Sequence, residues 1–298
     1  MTKIRIVTHN GKFHTDDVFS VAALKCIYDD VEVIRTRDED LVKSADIVLD
    51  VGGINDAGIK RFDHHQPGGA GLRQNGIPYA SFGLIWKEFG TTICKDAKIA
   101  DQIDERLVQP IDANDNGVEI SIPNIDGIFP YTLTSIVNLF RPTHTEGDDY
   151  DAPFLRAVEW AQWVLLRQVQ IFSDTKEAEM IVENGYQSAE DKRLIVFGTE
   201  NVFGREITGS ILMKYPEPLF AILYRKDVDS WQVITIQKEE HSFETRKSLP
   251  ESWAGKRDEE FVAMTGVEGA IFCHNKRFMA VAKSKEGAFA LAKLALEA

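Results

Sequence analysis

The chain has 298 residues, 44% hydrophobic and 27% charged, which is enough apolar material for one large core or two ordinary ones. A formal net charge of -13 excludes a protein that coats long duplex nucleic acid, because that mode needs a broad Lys/Arg surface. A short or locally held anionic substrate stays admissible, and acidic side chains gathered around a cation would present positive charge once it is bound. Cys26, Cys94 and Cys273 lie far apart with no CxxC pair, so a disulfide framework and a zinc ribbon are excluded and a reducing compartment is favoured. MTKIRIVTHNG reads as a strand rather than a leader, and no segment is apolar for the roughly 18 residues that a membrane helix needs. The expectation is a cytoplasmic protein with no membrane partner.

In chain order, IRIVTH (residues 4–9) predicts a strand, followed by a loop and a helix in which Phe19, Ala22, Ala23, Cys26 and Ile27 recur at helical spacing. VEVIRT (31–36) predicts a second strand, EDLVKSA a short helix, and DIVLDVGG (46–53) a third strand apolar enough to be buried on both faces. Alternation of this kind predicts a parallel α/β sheet. Helices are expected over 79–89, over 96–114 with Asn116-Gly117 as a stop, over 132–139, and over a long segment from 151 to 184. The second half changes to RLIVFG, a hairpin in LFAILYRKDVDSWQVITIQ, AIFCHNKRFMAVAKS and a final Ala-rich helix over 286–297. The expected architecture is therefore α/β throughout: a parallel-sheet N-terminal domain over residues 1–187, including a helical spine, and a smaller α/β domain over 188–298.

The polar residues that stand out in the first half share a location. His9, His14 and Asp16 follow the first strand, Asp50 ends the third, and Asp63, His64 and His65 follow the next extended segment. In an open parallel sheet, ligands bind in the crevice beyond the strand ends, so independent loops converge there. Imidazoles mixed with carboxylates, without a thiolate cluster, suit one or two divalent cations of the manganese, magnesium or iron type better than structural zinc. A carboxylate at the centre of the sheet, such as Asp50, can bridge two ions, and such a pair favours hydrolysis of a phosphate ester or anhydride. Each residue alone has a plainer reading. Asp16 and Asp17 stand in the first turn of a helix, where capping favours acids; Asp50 alone would cap a turn; Asp112 and Asp115 alone would be a solvated face. Their joint placement at strand ends outweighs those readings.

At FDHHQ the chain resembles the DHH phosphoesterase superfamily. The tripeptide is accompanied by THNGKFHTDD, VLDVGG and IDANDNG as the other motifs of that superfamily, in order. RTRD, ASFGLIW, YTLTSIV, KEEHSFETR, LPESWAGKRDE and KSKEGA extend the resemblance over nearly the whole chain and narrow it to the melanocyte-proliferating-gene family of 3'-to-5' RNA exonucleases. The resemblance implies a DHH-type catalytic domain followed by a substrate-binding domain. It also implies two divalent cations, manganese or alternatively magnesium, with His9, Asp16, Asp50 and His64 as ligands and Asp50 the bridging one. His14 stands where most of the superfamily has an aspartate, which makes the site less negative. In the fourth motif Asp112 and Asp115 both remain candidates.

The resemblance makes His65 and Asp50 the catalytic assignments, with His65 expected to face the leaving phosphate as a donor and Asp63 to orient the loop or a histidine. Gly68, Gly69 and Gly71 would let that loop turn away from the sheet. In the second half the resemblance assigns phosphate contacts to His241, Ser242, Arg246, Arg257 and His274, with Phe243 or Trp253 as stacking platforms; a core position is the equal alternative for Trp253. Residues 275–282 hold no glycine where related chains have a glycine-rich loop. The expected function is metal-dependent exonucleolytic hydrolysis of single-stranded RNA or short oligonucleotides. The alternatives are hydrolysis of a small phosphate such as pyrophosphate or a dinucleotide, and a non-catalytic metal-binding module. The oligomeric state stays open between a single chain and a homodimer.

Overall fold

The computed structural model describes residues 3–121, 125–199, 203–239, 242 and 244–298, and the chain divides into two compact units, Met1–Ser173 and Asp174–Ala298. Both are mixed α/β, each built on a five-stranded sheet. Among the described residues no helix is long and apolar enough to cross a membrane.

In the first unit the β-branched runs form β1 (Ile4–Thr8), β2 (Val31–Arg35) and β3 (Ile47–Leu49), joined by α1 (Thr15–Lys25) and α2 (Glu39–Ser44). Two short strands, β4 (Asn55–Asp56) and β5 (Arg61–Phe62), complete a sheet of order β2-β1-β3-β5-β4. All neighbours pair in parallel except β4, which closes the edge antiparallel to β5. Val7 pairs with Val48 and Leu49 with Phe62. Followed past the strand ends, that register brings His9, Asp50 and Asp63 into one row, since parallel strands all finish at the same end of the sheet.

One face of this sheet is covered by α1, α3 (Ser81–Cys94), α4 (Ala97–Ile103), α5 (Gln109–Asp115) and α6 (Leu133–Asn138). Their shared core holds Phe13, Phe19, Phe62, Phe82 and Phe154, all fully buried. The single helix expected over 96–114 is interrupted by one π-helical stretch, Asp104–Val108, in which the Gln109 N–H bonds to the Asp104 carbonyl. Pro110 explains it: proline has no N–H for the carbonyl four residues back and its ring crowds that carbonyl, so the turn widens. A 38-residue helix, α7 (Asp151–Ser188), begins in the first unit and ends in the second, with the division between the units inside it.

The second unit has β6 (Leu194–Val196), α8 (Arg205–Leu212), β7 (Phe220–Arg225), β8 (Ser230–Thr235), α9 (Asp258–Thr265), β9 (Ala270–Cys273), β10 (Met279–Ala282) and α10 (Lys285–Glu297). Its sheet runs β6-β7-β8-β10-β9, parallel only between β6 and β7. The β7–β8 hairpin is in register from Phe220↔Thr235 to Arg225↔Ser230. Ala288, Leu291, Ala292 and Ala295 give α10 a buried, narrow face against this sheet. Trp253 belongs to the same core, edge-on to Phe261 at 5.5 Å between ring centres, so it is a packing residue and no stacking platform.

Candidate metal centre

The end of the first sheet where β1, β3 and β5 stop carries a cluster of buried titratable groups. His9 follows β1 directly, and its Nδ1 lies 3.1 Å from the Asn10 carbonyl. A proton on Nδ1 donated to that carbonyl leaves Nε2 as the free lone pair, the usual arrangement of a metal-binding histidine. Nε2 faces Asp17 Oδ2 at 3.1 Å and Asp50 Oδ2 at 3.2 Å. Asp50, just past β3, has a left-handed backbone (φ +54°), which turns the chain off the sheet while its N–H still bonds to Phe62 O. Its other oxygen, Oδ1, accepts from Ser81 Oγ at 3.2 Å and lies 3.3 Å from His64 Nε2. His64 Nε2 also lies 3.2 Å from Asp115 Oδ2 and 3.9 Å from Asp16 Oδ2.

The second histidine of the pair lies beside the first, its Nδ1 3.4 Å from Asp50 Oδ1. Asp63 accepts from Gly53 N at 2.6 Å through one oxygen, and from His65 N and Nδ1 through the other at 3.1 and 2.8 Å. With Nδ1 so held, the largely exposed His65 ring presents Nε2 to the cleft. Gly68, Gly69 and Gly71 all have positive φ in the turn that follows.

This arrangement puts polar atoms in charge contact without a hydrogen bond, where burial makes that costly. His9 Nε2, both oxygens of Asp16, Asp17 Oδ2, Asp50 Oδ2 and His64 Nε2 are buried without a hydrogen bond. Native interiors rarely tolerate such atoms, and bringing like charges together compounds the penalty. Burial, followed by repulsion from Asp50, Asp115 and Asp17, holds the Asp16 carboxyl well above its ordinary range. Burial also raises Asp17, against the pull of His9. For His9, burial works downward but is outweighed by Asp17 and Asp50, which push it up to about 10. His64 is raised by Asp50, Asp115 and Asp63 in the same way. Asp50 is lowered, because His64 and His9 outweigh its burial.

Divalent cations fit this donor set. Ligand atoms of His9, His14 and Asp50, of Asp50, His64 and His65, and of His14, Asp16 and Asp115 form three groups, each within 4.8 Å. Asp50 and His14 each belong to two of them, so the groups overlap rather than standing as separate sites.

Three arginines hold the loop between His9 and His14. Arg37 Nη1 donates to Asn10 O and Oδ1 at 2.8 and 2.9 Å, Arg35 Nη2 donates to Gly11 O at 2.7 Å, and Arg141 Nη2 donates to Phe13 O. Arg35 also donates to Asp151 at 2.8 Å and lies 4.5 Å from the Phe154 ring centre, so the loop is fixed to the start of α7. The planar, five-donor guanidinium is suited to bridging carbonyls in this way. Sequence reasoning gave RTRD no role; the signal was the pair of arginines at the end of β2, Arg35 closing the strand and Arg37 just past it. It also left Asp17 as a helix-cap acid and passed over Ser81. Asp17 does cap, accepting from His14 N at 2.8 Å, but its second oxygen joins the cluster.

Of the fourth-motif acids, Asp115 is brought to the cluster and Asp112 is not. Asp112 accepts from Arg73 Nη1 at 2.7 Å and from Gly83 N at 3.0 Å, fully buried between α3 and α5. A Cβ on Gly83 would sit 1.8 Å from Asp112 Oδ2, so only glycine lets the two helices come this close. The described second-unit candidates each have partners of their own. Arg246 donates to the carbonyls of Met213, Tyr215 and Pro218, which occupies its guanidinium with the end of α8. Arg257 stands at the start of α9 with no side-chain capping bond, its guanidinium 5.1 Å from the Phe272 ring centre, and Ser242 Oγ accepts from Glu244 N. His274 lines a cavity of about 430 Å³ with Arg205, Lys276 and Phe278. His241 and Phe243 lie outside the described residues.

A family model labelled MYG1_exonuc, described as Uncharacterised protein family (UPF0160), matches residues 5–296. The chain belongs to this family. Similar proteins include the MYG1 exonuclease of Homo sapiens, 30% identical over 333 residues that cover 99% of this chain and 86% of the human protein. The MYG1 exonuclease of Bos taurus is 30% identical over 332 residues, 99% of this chain and 85% of its own. The MYG1 protein YER156C of Saccharomyces cerevisiae is 29% identical over 331 residues, 98% and 95% of the two chains. No solved structure matches. The MYG1 match takes in every strand-end residue of the cluster as well as the second unit.

Two outcomes are expected. Asp112→Asn removes one of the two carboxylates paired with Arg73, Asp104 at 3.0 Å being the other, and should cost about 1–3 kcal/mol in thermal denaturation, with the stabilisation by manganese or magnesium retained. Asp115→Asn should do the reverse, keeping the metal-free melting temperature within a few degrees and weakening that stabilisation at least tenfold in metal concentration; an exchange of the two phenotypes contradicts the assignment. The second concerns pH. Groups with raised folded values keep protons that the unfolded chain has released, so they favour folding below the unfolded value and lose that contribution as pH rises through the folded one. For His9 the window runs from 6.5 to about 10. Chelator-treated protein should therefore melt progressively lower from about pH 6.5 to 9.5, while the gain from added divalent ions grows, since they take deprotonated ligands. Melting curves with and without chelator check this, and a metal-free protein that gains stability with pH would contradict it.

Proposed function

We propose that the chain is a metal-dependent phosphodiesterase of the DHH type that removes nucleotides from the 3' end of single-stranded RNA or short oligonucleotides. The observation that carries the reading is the set of imidazole and carboxylate atoms buried without hydrogen bonds at one end of a parallel sheet. Its relatives named exonucleases supply the substrate class. His9, His14, Asp16, Asp50, His64 and Asp115 would hold two divalent cations, manganese or magnesium, with Asp50 between them. When bound, such ions neutralise phosphate charge and lower the pKa of water for in-line attack on phosphorus.

The chain's own residues account for the rest. The Asn10 carbonyl fixes the tautomer of His9, and Ser81 orients Asp50. The arginine-held loop keeps His9 and His14 at fixed separation, which limits reorganisation when substrate arrives. His65, steered by Asp63 through Nδ1, presents Nε2 to the cleft, and in its doubly protonated form it would donate that proton to the leaving oxygen. The cluster opens on cavities of about 460 and 650 Å³, more room than pyrophosphate needs and the scale of a nucleotide site. That favours an oligonucleotide over the small-phosphate alternative. The acidic chain suits short substrates.

The test is a panel of 3'-labelled and 5'-labelled oligoribonucleotides, oligodeoxynucleotides and pyrophosphate, assayed with manganese or magnesium. Stepwise loss of mononucleotides from the 3' end of RNA is expected. Asp50→Ala should abolish it, and His65→Ala should lower kcat about a hundredfold with ion-dependent stabilisation intact. Activity on pyrophosphate alone would overturn the reading.

A further inference from the structure

The two cavities that open on the cluster differ in character. The one on the α5–α6 side is polar, with Asn114, Asn116, Thr134 and Arg141 in its wall. The one on the α2 side, about 650 Å³, has Val42, Val51 and Ile54 in its lining, with Arg37, Lys43 and Glu39 also around it. His14 and His65 are the residues that line both, so they stand at the divide.

The apolar patch is a built surface. Val42 and Val51 pack against the small core of Val7, Ala45 and Val48 between α2 and the sheet, so they cannot retreat from the cavity. Ile54 is about half exposed, although its backbone carbonyl is fixed by Asp63 N. Gly52, with φ +94°, keeps the wall open: a Cβ there would lie 3.3 Å from Val42 Cγ1. Two cations stand close by. Arg37 is anchored on Asn10, and Lys43 pairs with Glu39 across one turn of α2.

An apolar floor that starts beside a phosphate-cleaving cluster and has cations at its rim matches a nucleoside monophosphate, flat and apolar at one end and anionic at the other. We infer that this cavity receives the terminal nucleoside of the substrate, its base resting on Val42, Val51 and Ile54. The leaving nucleoside 5'-monophosphate occupies the same place as product. This rests on the proposed exonuclease reading and specifies which side of the cluster the released end takes.

The test compares binding of adenosine 5'-monophosphate and ribose 5-phosphate to the full chain in saturating magnesium by calorimetry. The two ligands share ribose and phosphate and differ in the base. The native chain should bind the nucleotide at least tenfold more tightly, the lower range for a stacked or buried base. Ile54→Ser, at an exposed position, should narrow that ratio, and Val42→Ser/Ile54→Ser should bring it within threefold of unity with ribose 5-phosphate affinity unchanged. Equal affinity of the native chain for both ligands, or no binding of either, overturns the inference. A preserved preference in the double variant overturns it too. Base discrimination without hydrolysis of any oligonucleotide would support the cavity while sinking the exonuclease reading, so the two failures are distinct.

Discussion

The constraint on which the first unit depends is the burial of four acidic side chains, Asp16, Asp17, Asp50 and Asp63, beside His9 at one end of a parallel sheet. A cluster of that kind cannot be justified by stability alone, because each carboxylate loses water and faces others of its own sign. Asp63 has its hydrogen bonds and is a scaffold residue. His9 Nε2, both Asp16 oxygens, Asp17 Oδ2 and Asp50 Oδ2 lack them, and protons or cations are what can fill the gap. The parallel register makes the cluster possible, since only strands running the same way deliver His9, Asp50 and the Asp63–His65 turn to one edge.

The surrounding architecture holds these groups in place against their mutual repulsion. The Arg35, Arg37 and Arg141 contacts fix the backbone of the first-motif loop from two directions, bringing positive charge near the carboxylates without entering the cluster. The Arg73–Asp112 pair fixes α5 on α3 and thereby sets which face of α5 meets the cluster. Gly83 permits that approach. A residue three positions from a candidate ligand can therefore serve helix packing instead of the cluster.

Much of this was legible in the sequence because it depends on local signals. Alternating β-branched runs and helical spacing located the strands and most helices, and the ligand-type residues sat directly after the strands. What was not legible depends on tertiary contacts. Asp112 and Asp115 are chemically identical in sequence, and only the rotation of α5, set by Arg73, separates them. Asp17 reads as a cap and does cap, so nothing local signals its second oxygen. The π-helical stretch follows from Pro110, whose effect was knowable in kind, although a widened turn rather than a break depends on the packing of Leu107 and Val108 in the core. Arg246 reads as a phosphate ligand from its neighbours HSFET, whereas the carbonyls it holds come from a segment about thirty residues earlier.

The account stands or falls on the ions. The most direct measurement is a manganese titration of the purified, chelator-treated full chain, with free ion followed by electron paramagnetic resonance and bound ion by elemental analysis. The account predicts two ions per chain, close enough to show exchange coupling through a shared Asp50, with both lost in Asp50→Ala. Fewer than one ion per chain, or binding that survives Asp50→Ala undiminished, would contradict it.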